Sequence, residues 1–265
     1  MKWSFALFFL ILSSVAFGQK IKFKDPKFKE WILKENKIDL NGDGEIDQRE
    51  AQNAQKLDLS GARIKTMDEL KYFVNLKELW ATANLLKTID VSQNRKLTLL
   101  YIDANQLKEL DLSNNTNLSK LSCGHNKIST FDFSQNTKLK EAHLNGNLFT
   151  KLDLSKNTSL EYLSVRNNHQ LSEIDLTNLS SLRTFYCSYT KIESLDLSKN
   201  EHLEHLLCLG ISLKYLDVSR IRNLEVLSAA QNPNLKCIKV NNFFKAKYND
   251  NWEKDEHTKY SVQCE

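Results

Sequence analysis

Asp39, Asn41, Asp43, Glu45, Asp47 and Glu50 fall at positions 1, 3, 5, 7, 9 and 12 of one stretch, Asp39-Leu40-Asn41-Gly42-Asp43-Gly44-Glu45-Ile46-Asp47-Gln48-Arg49-Glu50. Residues of these types at this spacing can hold a hard cation. Asp39, Asn41 and Asp43 offer side-chain oxygens, and Glu45 offers its backbone carbonyl. Asp47 acts directly or through water, and Glu50 can bind through both carboxylate oxygens. Gly44 permits the sharp turn such a loop requires. The donor set is that of one calcium ion. The competing reading is an Asp/Asn/Gly-rich turn that holds no ion. A lone loop of this kind in an extracellular module binds weakly, at about 10⁻⁴ to 10⁻³ M, which suits a structural clip better than a sensor.

The loop needs helices on either side. Asp25-Pro26 is a cap and first-turn pair, and Phe28, Trp31 and Ile32 share one helical face. The polar run from Lys34 to Lys37 ends that helix before the loop. A short second helix is expected over 48–55. No second loop of the same type exists to pair with this one.

Before these elements stands an address. Lys2, the apolar run from Phe5 to Leu12, and the small residues Ala16 and Gly18 read as an export signal over 1–18, cleaved before Gln19. The run is too short to span a bilayer, and no membrane span is expected elsewhere. The formal charge of +4, from 37 basic and 33 acidic residues, is too balanced for a nucleic-acid binder. With 26% charged and 41% hydrophobic residues the chain is neither disordered nor a membrane bundle. Its 7 glycines and 2 prolines exclude a glycine-rich phosphate loop and a proline-rich linker.

After the loop the chain repeats itself. The phrase L-D-L-S and its variants begin at Leu57, Ile89, Leu110, Phe131, Leu152, Ile174, Leu195 and Leu216, with a degenerate copy at Ile238. From Ile89 the steps are 21, 21, 21, 22, 21, 21 and 22. Within a unit the pattern is Leu97-x-x-Leu100-x-Ile102-x-x-Asn105-x-Leu107-x-x-Leu110-Asp111-Leu112. The alternation L-x-L makes a short strand with one buried face. One coil cannot bury that face alone, so coils stack into a parallel sheet over a continuous core. This is the leucine-rich repeat grammar, L-x-x-L-x-L-x-x-N-x-L. The Asn of each unit recurs at Asn84, Asn105, Asn126, Asn147, Asn168 and Asn232 and is expected to bond backbone groups at the turn. It lapses at Thr190 and Ile211, where looser turns or a different curvature are expected.

The doubled unit resembles the nested bacterial repeat type called IRREKO. The whole series of helix, calcium-type loop, repeats and Cys-bracketed tail resembles exported internalin-like proteins of the Bacteroidota. In those the phrase like Asn41-Gly42-Asp43-Gly44-Glu45-Ile46 opens the repeat domain as an EF-hand-like cap. The resemblance implies an α/β solenoid, with the parallel sheet on the concave face and turns or short 3₁₀ segments on the convex face. Its parts are a signal at 1–18, a helical N-terminal cap at 19–56, repeats at 57–240 and a C-terminal cap at 241–265. No surface anchor is visible after Cys264, and the expected location of the exported chain is extracellular or periplasmic.

Five cysteines remain to be placed. Cys237 and Cys264 bracket the tail, and in an oxidising compartment a disulfide between them is expected to seal the end of the solenoid. That tail also carries Phe243, Phe244, Tyr248, Trp252 and Tyr260. Cys123, Cys187 and Cys208 occupy the last position of L-x-L, a column shared with Ile102, Leu144 and Val165. They are expected to be buried free thiols, although Cys187 and Cys208 lie in adjacent coils and can in principle bridge.

Function is expected on the concave face. Strand residues that point away from the core include Trp80, Tyr101, His143, Tyr162, Tyr186 and His205, and Arg166 and Tyr189 lie just beyond the strands. Exposed aromatic residues dominate binding hot spots, whereas stacking between neighbouring strands rewards them too. The expected partner of a monomeric chain is a protein. A glycan-binding accessory and a purely structural envelope protein are the alternatives. Within one column only Trp80 and Tyr101 are aromatic in adjacent coils, which disfavours a flat sugar platform. Catalysis is not expected: the six histidines scatter over different repeat positions, and neither an H-x-x-x-H pair nor a G-x-S-x-G turn occurs.

Overall fold

A computed structural model describes residues 18–264, so the expected export signal lies outside the described residues except for Gly18. Helix α1, Pro26–Glu35, begins where Asp25 accepts a hydrogen bond from the Lys27 amide, and stops where the Asn36 amide bonds Ile32. Asp25 also accepts from the Lys65 amide at 2.6 Å, which fastens the helix to the first coil. Phe28 and Ile32 are fully buried, and the Phe28 ring meets Phe23 edge-on at 5.2 Å and Phe73 at 6.2 Å. Helix α2, Gln48–Asn53, is two residues shorter than expected because Ala54 is already extended.

Short strands follow: β1 (Lys56–Asp58), β2 (Glu78–Trp80), β3 (Leu99–Tyr101), β4 (Lys120–Ser122), β5 (Glu141–His143), β6 (Tyr162–Ser164), β7 (Thr184–Tyr186) and β8 (His205–Leu207). The C-terminal end carries β9 (Leu216–Asp217), β10 (Val226–Ala229), β11 (Cys237–Lys239), helix α3 (Phe243–Lys247), β12 (Trp252–Lys254) and β13 (Lys259–Ser261). Ten strands form one parallel sheet in the order β1-β2-β3-β4-β5-β6-β7-β8-β10-β12. Register places the middle residue of each strand over the next, Leu79 on Leu100 and Leu100 on Leu121. That residue is buried from β1 to β8 while its neighbours are mostly half-buried, as period-two alternation demands, and in the end strand β12 it is the exposed Glu253.

The far side carries the expected turns. Among the described residues it holds a single 3₁₀ helix, Asp68–Tyr72, and pairing there is confined to the sheet β13-β11-β9. The recurring Asp shapes the other turns. Asp90, Asp111, Asp132, Asp153, Asp175, Asp196 and Asp217 each accept the backbone amide two residues on. Accepting that bond also holds the Asp111 carboxyl below its ordinary range.

Two asparagine ladders bind coil to coil. Asn126 Nδ2 donates to Ile102 O and Cys123 O, both at 3.0 Å, and its Oδ1 accepts from the Leu107 amide at 3.0 Å. The expected lapse at Thr190 is partly repaired, because its hydroxyl donates to Cys187 O at 2.9 Å. The second ladder, Asn94, Asn115, Asn136, Asn157 and Asn200, is fully or almost fully buried at the opposite turn. There Asn115 Nδ2 donates to Val91 O and Asn94 O in the preceding coil.

Cys237 and Cys264 are disulfide-bonded with Cα atoms 5.9 Å apart. Cys123, Cys187 and Cys208 are buried free thiols, so Cys187 and Cys208 are not bridged. Burial raises all three thiols, Cys208 to about 12. Of the five tail aromatics, Trp252 and Tyr260 pack at 5.9 Å against the end of the core, whereas Phe243, Phe244 and Tyr248 face outward.

Candidate functional site

The sheet places all eight expected partner-binding residues, Trp80, Tyr101, His143, Tyr162, Arg166, Tyr186, Tyr189 and His205, half-buried on or beside its open face. Their rings form two groups. Trp80 meets Tyr101 edge-on at 6.2 Å, and Lys56 Nζ lies 4.0 Å from the Trp80 ring centre. The second group crosses columns: His143 stacks on Tyr162 at 4.3 Å, and Tyr162 meets Tyr186 edge-on at 5.6 Å. Reading each column alone misses this run, because strand residues two apart share a face and touch diagonal neighbours. Burial lowers the His143 pKa, which favours the neutral ring against Tyr162.

Several polar neighbours of these residues serve the fold. Ser122, Ser164 and Thr184 are buried rather than exposed. Asp103 Oδ1 accepts from Ser122 Oγ at 2.6 Å and from the Gly124 amide at 2.9 Å. Asn145 accepts from the Ser164 hydroxyl and the Arg166 amide. Ser122, His143 and Asp103 are therefore not arranged as a hydrolytic triad: the serine donates directly to the aspartate while the imidazole stacks on Tyr162. Tyr189 rests on the neighbouring coil. A Cβ at Gly210 would come within 2.9 Å of the Tyr189 ring, so only glycine admits it there. Lys120 and Glu141, in the column of Tyr162, pair across coils at 2.6 Å, and just before the strands Lys140 pairs with Glu161 at 3.0 Å and Arg183 with Glu204. His205 lies 3.4 Å from the Thr184 hydroxyl and 3.7 Å from Glu225.

The Asp39–Glu50 loop sits at the opposite end of the chain from α3. Gly42 and Gly44 adopt φ of 71° and 72°, the left-handed turn that the motif anticipates. Asp39 accepts from the amides of Gly42, Asp43 and Gly44, Asn41 from Asp43, and Asp43 from Glu45. Asp47 and Glu50 form a reciprocal capping box on α2. Glu50 also accepts from the Leu40 amide at 2.8 Å. Among the described residues no three Asp, Glu, His or Cys side chains are grouped so that they could hold a metal ion. The donor types fit a hard cation, but Glu50 is committed to backbone amides. Lys20 pairs with Asp43 at 3.1 Å and Lys29 with Glu45 at 2.8 Å. The loop is not left unpaired. Lys20 forms an antiparallel bridge with Asp47, and the Ile21 amide bonds Ile46 O at 2.8 Å. Residues just after the expected cleavage point thus supply the strand a second loop would otherwise give.

No protein family matches the sequence, and no curated protein matches it. Solved structures do. The functional domain of InlJ from Listeria monocytogenes, described as including a cysteine ladder, is 31% identical with a TM-score of 0.68 over 74% of this chain. The chain spans 46% of that structure, less than half its length. An internalin, InlF, from the same species is 22% identical, covering 90% of this chain and 77% of its own, with a TM-score of 0.65. Internalin C2, also from L. monocytogenes, is 21% identical over 82% of this chain and 94% of its own, with a TM-score of 0.60. The fold is that of a leucine-rich repeat protein. The solved structures this chain resembles within that fold include internalins. Among the described residues no helix is long and apolar enough to cross a membrane.

Proposed function

We propose that this chain is an exported, non-catalytic recognition module that binds a protein through the concave face of its sheet. The observation that carries this reading is the His143–Tyr162–Tyr186 run, three half-buried rings crossing three adjacent coils. Such rings offer large contact area at low entropic cost, and charged pairs flank them. The neighbouring structures of internalins support an interaction module. The Trp80–Tyr101 and Tyr162–Tyr186 pairs pack edge-on and not side by side in one plane, which favours a protein over a glycan.

The same reading gives the Asp39–Glu50 loop one structural calcium ion. Asp39, Asn41 and Asp43 would supply side-chain oxygens, Glu45 its carbonyl, and Asp47 and Glu50 the remaining carboxylates. The ion would neutralise acidic side chains and brace the N-terminal end of a monomer. Glu50 must release the Leu40 amide for this, and Lys20 must release Asp43.

Immobilised protein is expected to retain at least one protein from the extracellular or cell-surface fraction of its source cells or their neighbours. Retention should fall at least tenfold for His143→Ser/Tyr162→Ser/Tyr186→Ser and hold for Lys156→Ser/Lys199→Ser on the exposed far turns, about 2 kcal/mol being the usual weight of a hot spot. Equal retention by both variants would remove the concave face from the account.

A further inference from the structure

We propose that α3 is a docking element for the surface of an anionic lipid bilayer. The segment Asn242-Phe243-Phe244-Lys245-Ala246-Lys247-Tyr248 leaves all but Ala246 exposed. Phe244 and Tyr248 are 70% and 69% exposed, and Phe243 is 38% exposed. These are three of the eight large hydrophobic side chains exposed among the described residues, gathered within six positions. They take no part in sealing the core, which Trp252 and Tyr260 do. Asn242 caps the helix by accepting the Lys245 amide at 3.0 Å, and Lys245 Nζ reaches Arg222 O. The protruding turn is therefore held to the body rather than loose.

Size and charge select the occupant. Rings of about 200 Å² each at these exposures present about 350 Å² of surface, well short of the roughly 800 Å² per partner of a stable protein interface. A bilayer surface requires no such area or shape match, since single aromatic residues partition into the headgroup region with their polar edges wet. Lys247 lies 5.8 Å from the Phe243 ring and 5.4 Å from the Tyr248 ring, so cationic charge and aromatic surface are interleaved. From Asn241 to Asn249 there is no acidic residue. Lysines at a membrane surface favour anionic headgroups. The ten-stranded sheet would then stand on its C-terminal end, with the Asp39–Glu50 loop at the far end of the strand order.

The test is co-sedimentation of the chain from Gln19, which contains every described element and omits the apolar leader. The probes are vesicles of phosphatidylcholine alone and of phosphatidylcholine with about one third phosphatidylglycerol. Binding to the anionic vesicles is expected to exceed binding to neutral ones by about tenfold. It should fall at least tenfold in Phe244→Ser/Tyr248→Ser and lose most of its lipid preference in Lys247→Glu, which keeps the Lys245 contact with Arg222 O, with melting temperatures unchanged. A Phe244→Trp variant should show blue-shifted fluorescence on anionic vesicles. Absence of binding to either vesicle, or equal binding by the ring variant, would overturn the proposal. So would a concentration-dependent dimer abolished by Phe244→Ser/Tyr248→Ser, which would give the face to a second copy.

Discussion

Asn126→Leu is expected to cost about 2–4 kcal/mol and to lower the urea midpoint more than any single surface change. One side chain satisfies Ile102 O, Cys123 O and the Leu107 amide, all inside the coil stack. Leu fills a similar volume but makes none of these bonds. Asn105 still donates to Ile102 O and Asn147 to Cys123 O, so the Leu107 amide alone is orphaned, which costs about 1–3 kcal/mol, and the two lost carbonyl bonds add about 1 kcal/mol. Position 190 supplies the control. Thr190 keeps the local bond to Cys187 O but not the reach to the preceding coil. Asn126→Thr should therefore lose visibly less than Asn126→Leu. Urea melts of the two variants decide it: equal losses would mean that packing, and not backbone satisfaction, explains the conserved geometry of the turn.

Breaking the Cys237–Cys264 disulfide with Cys264→Ser should destabilise the C-terminal end by about 3–4 kcal/mol. The bond closes a segment of sequence separation 27, and the entropy of closing such a loop sets this scale in the chain-entropy account. It ties β11 to the chain end just beyond β13, and β11 and β13 pair through Ile238 and Tyr260. Repeat proteins lose stability locally, coil by neighbouring coil. Amide exchange should accordingly accelerate in β11, β13 and α3 while β3 to β6 keep their protection. A uniform loss along the sheet would show that the end cap stabilises the whole stack, and unchanged exchange would make the bond redundant.

The repeat was legible because one constraint acts in every coil. Leu100 and Leu121 must stack in register, so a 21-residue step is written directly into the chain. The first asparagine ladder was legible for the same reason. The second was overlooked although its signal is equally plain: Asn94, Asn115, Asn136, Asn157 and Asn200 each stand five residues after the first apolar residue of the recurring phrase. Other features depend on two coils at once and leave no mark in a single unit. The diagonal from His143 through Tyr162 to Tyr186 needs strand register, and the seat of Tyr189 needs Gly210 one coil further on. The dual service of Asp103, which binds Ser122 and the Gly124 amide, is of this kind too. The loop's motif fixed its backbone turn, since Gly42 and Gly44 are left-handed. It did not fix the state of Glu50, whose capping bonds belong to α2 as much as to the loop.

That loop provides the most direct test of the proposal that calcium closes the N-terminal end of the solenoid. The measurement is the melting temperature of the chain from Gln19 with calcium at about 10 mM and with chelator, beside Asp39→Ala/Glu50→Ala. At a Kd of about 10⁻⁴ to 10⁻³ M this calcium concentration is about a ten- to hundredfold excess, which stabilises the native state by about 1.4–2.7 kcal/mol, or about 3–10 °C for a chain of this length. The account predicts a rise of that order in the parent protein and none in the variant. Identical melting of the parent with calcium and with chelator would contradict it and leave Asp39 to Glu50 as a capped turn.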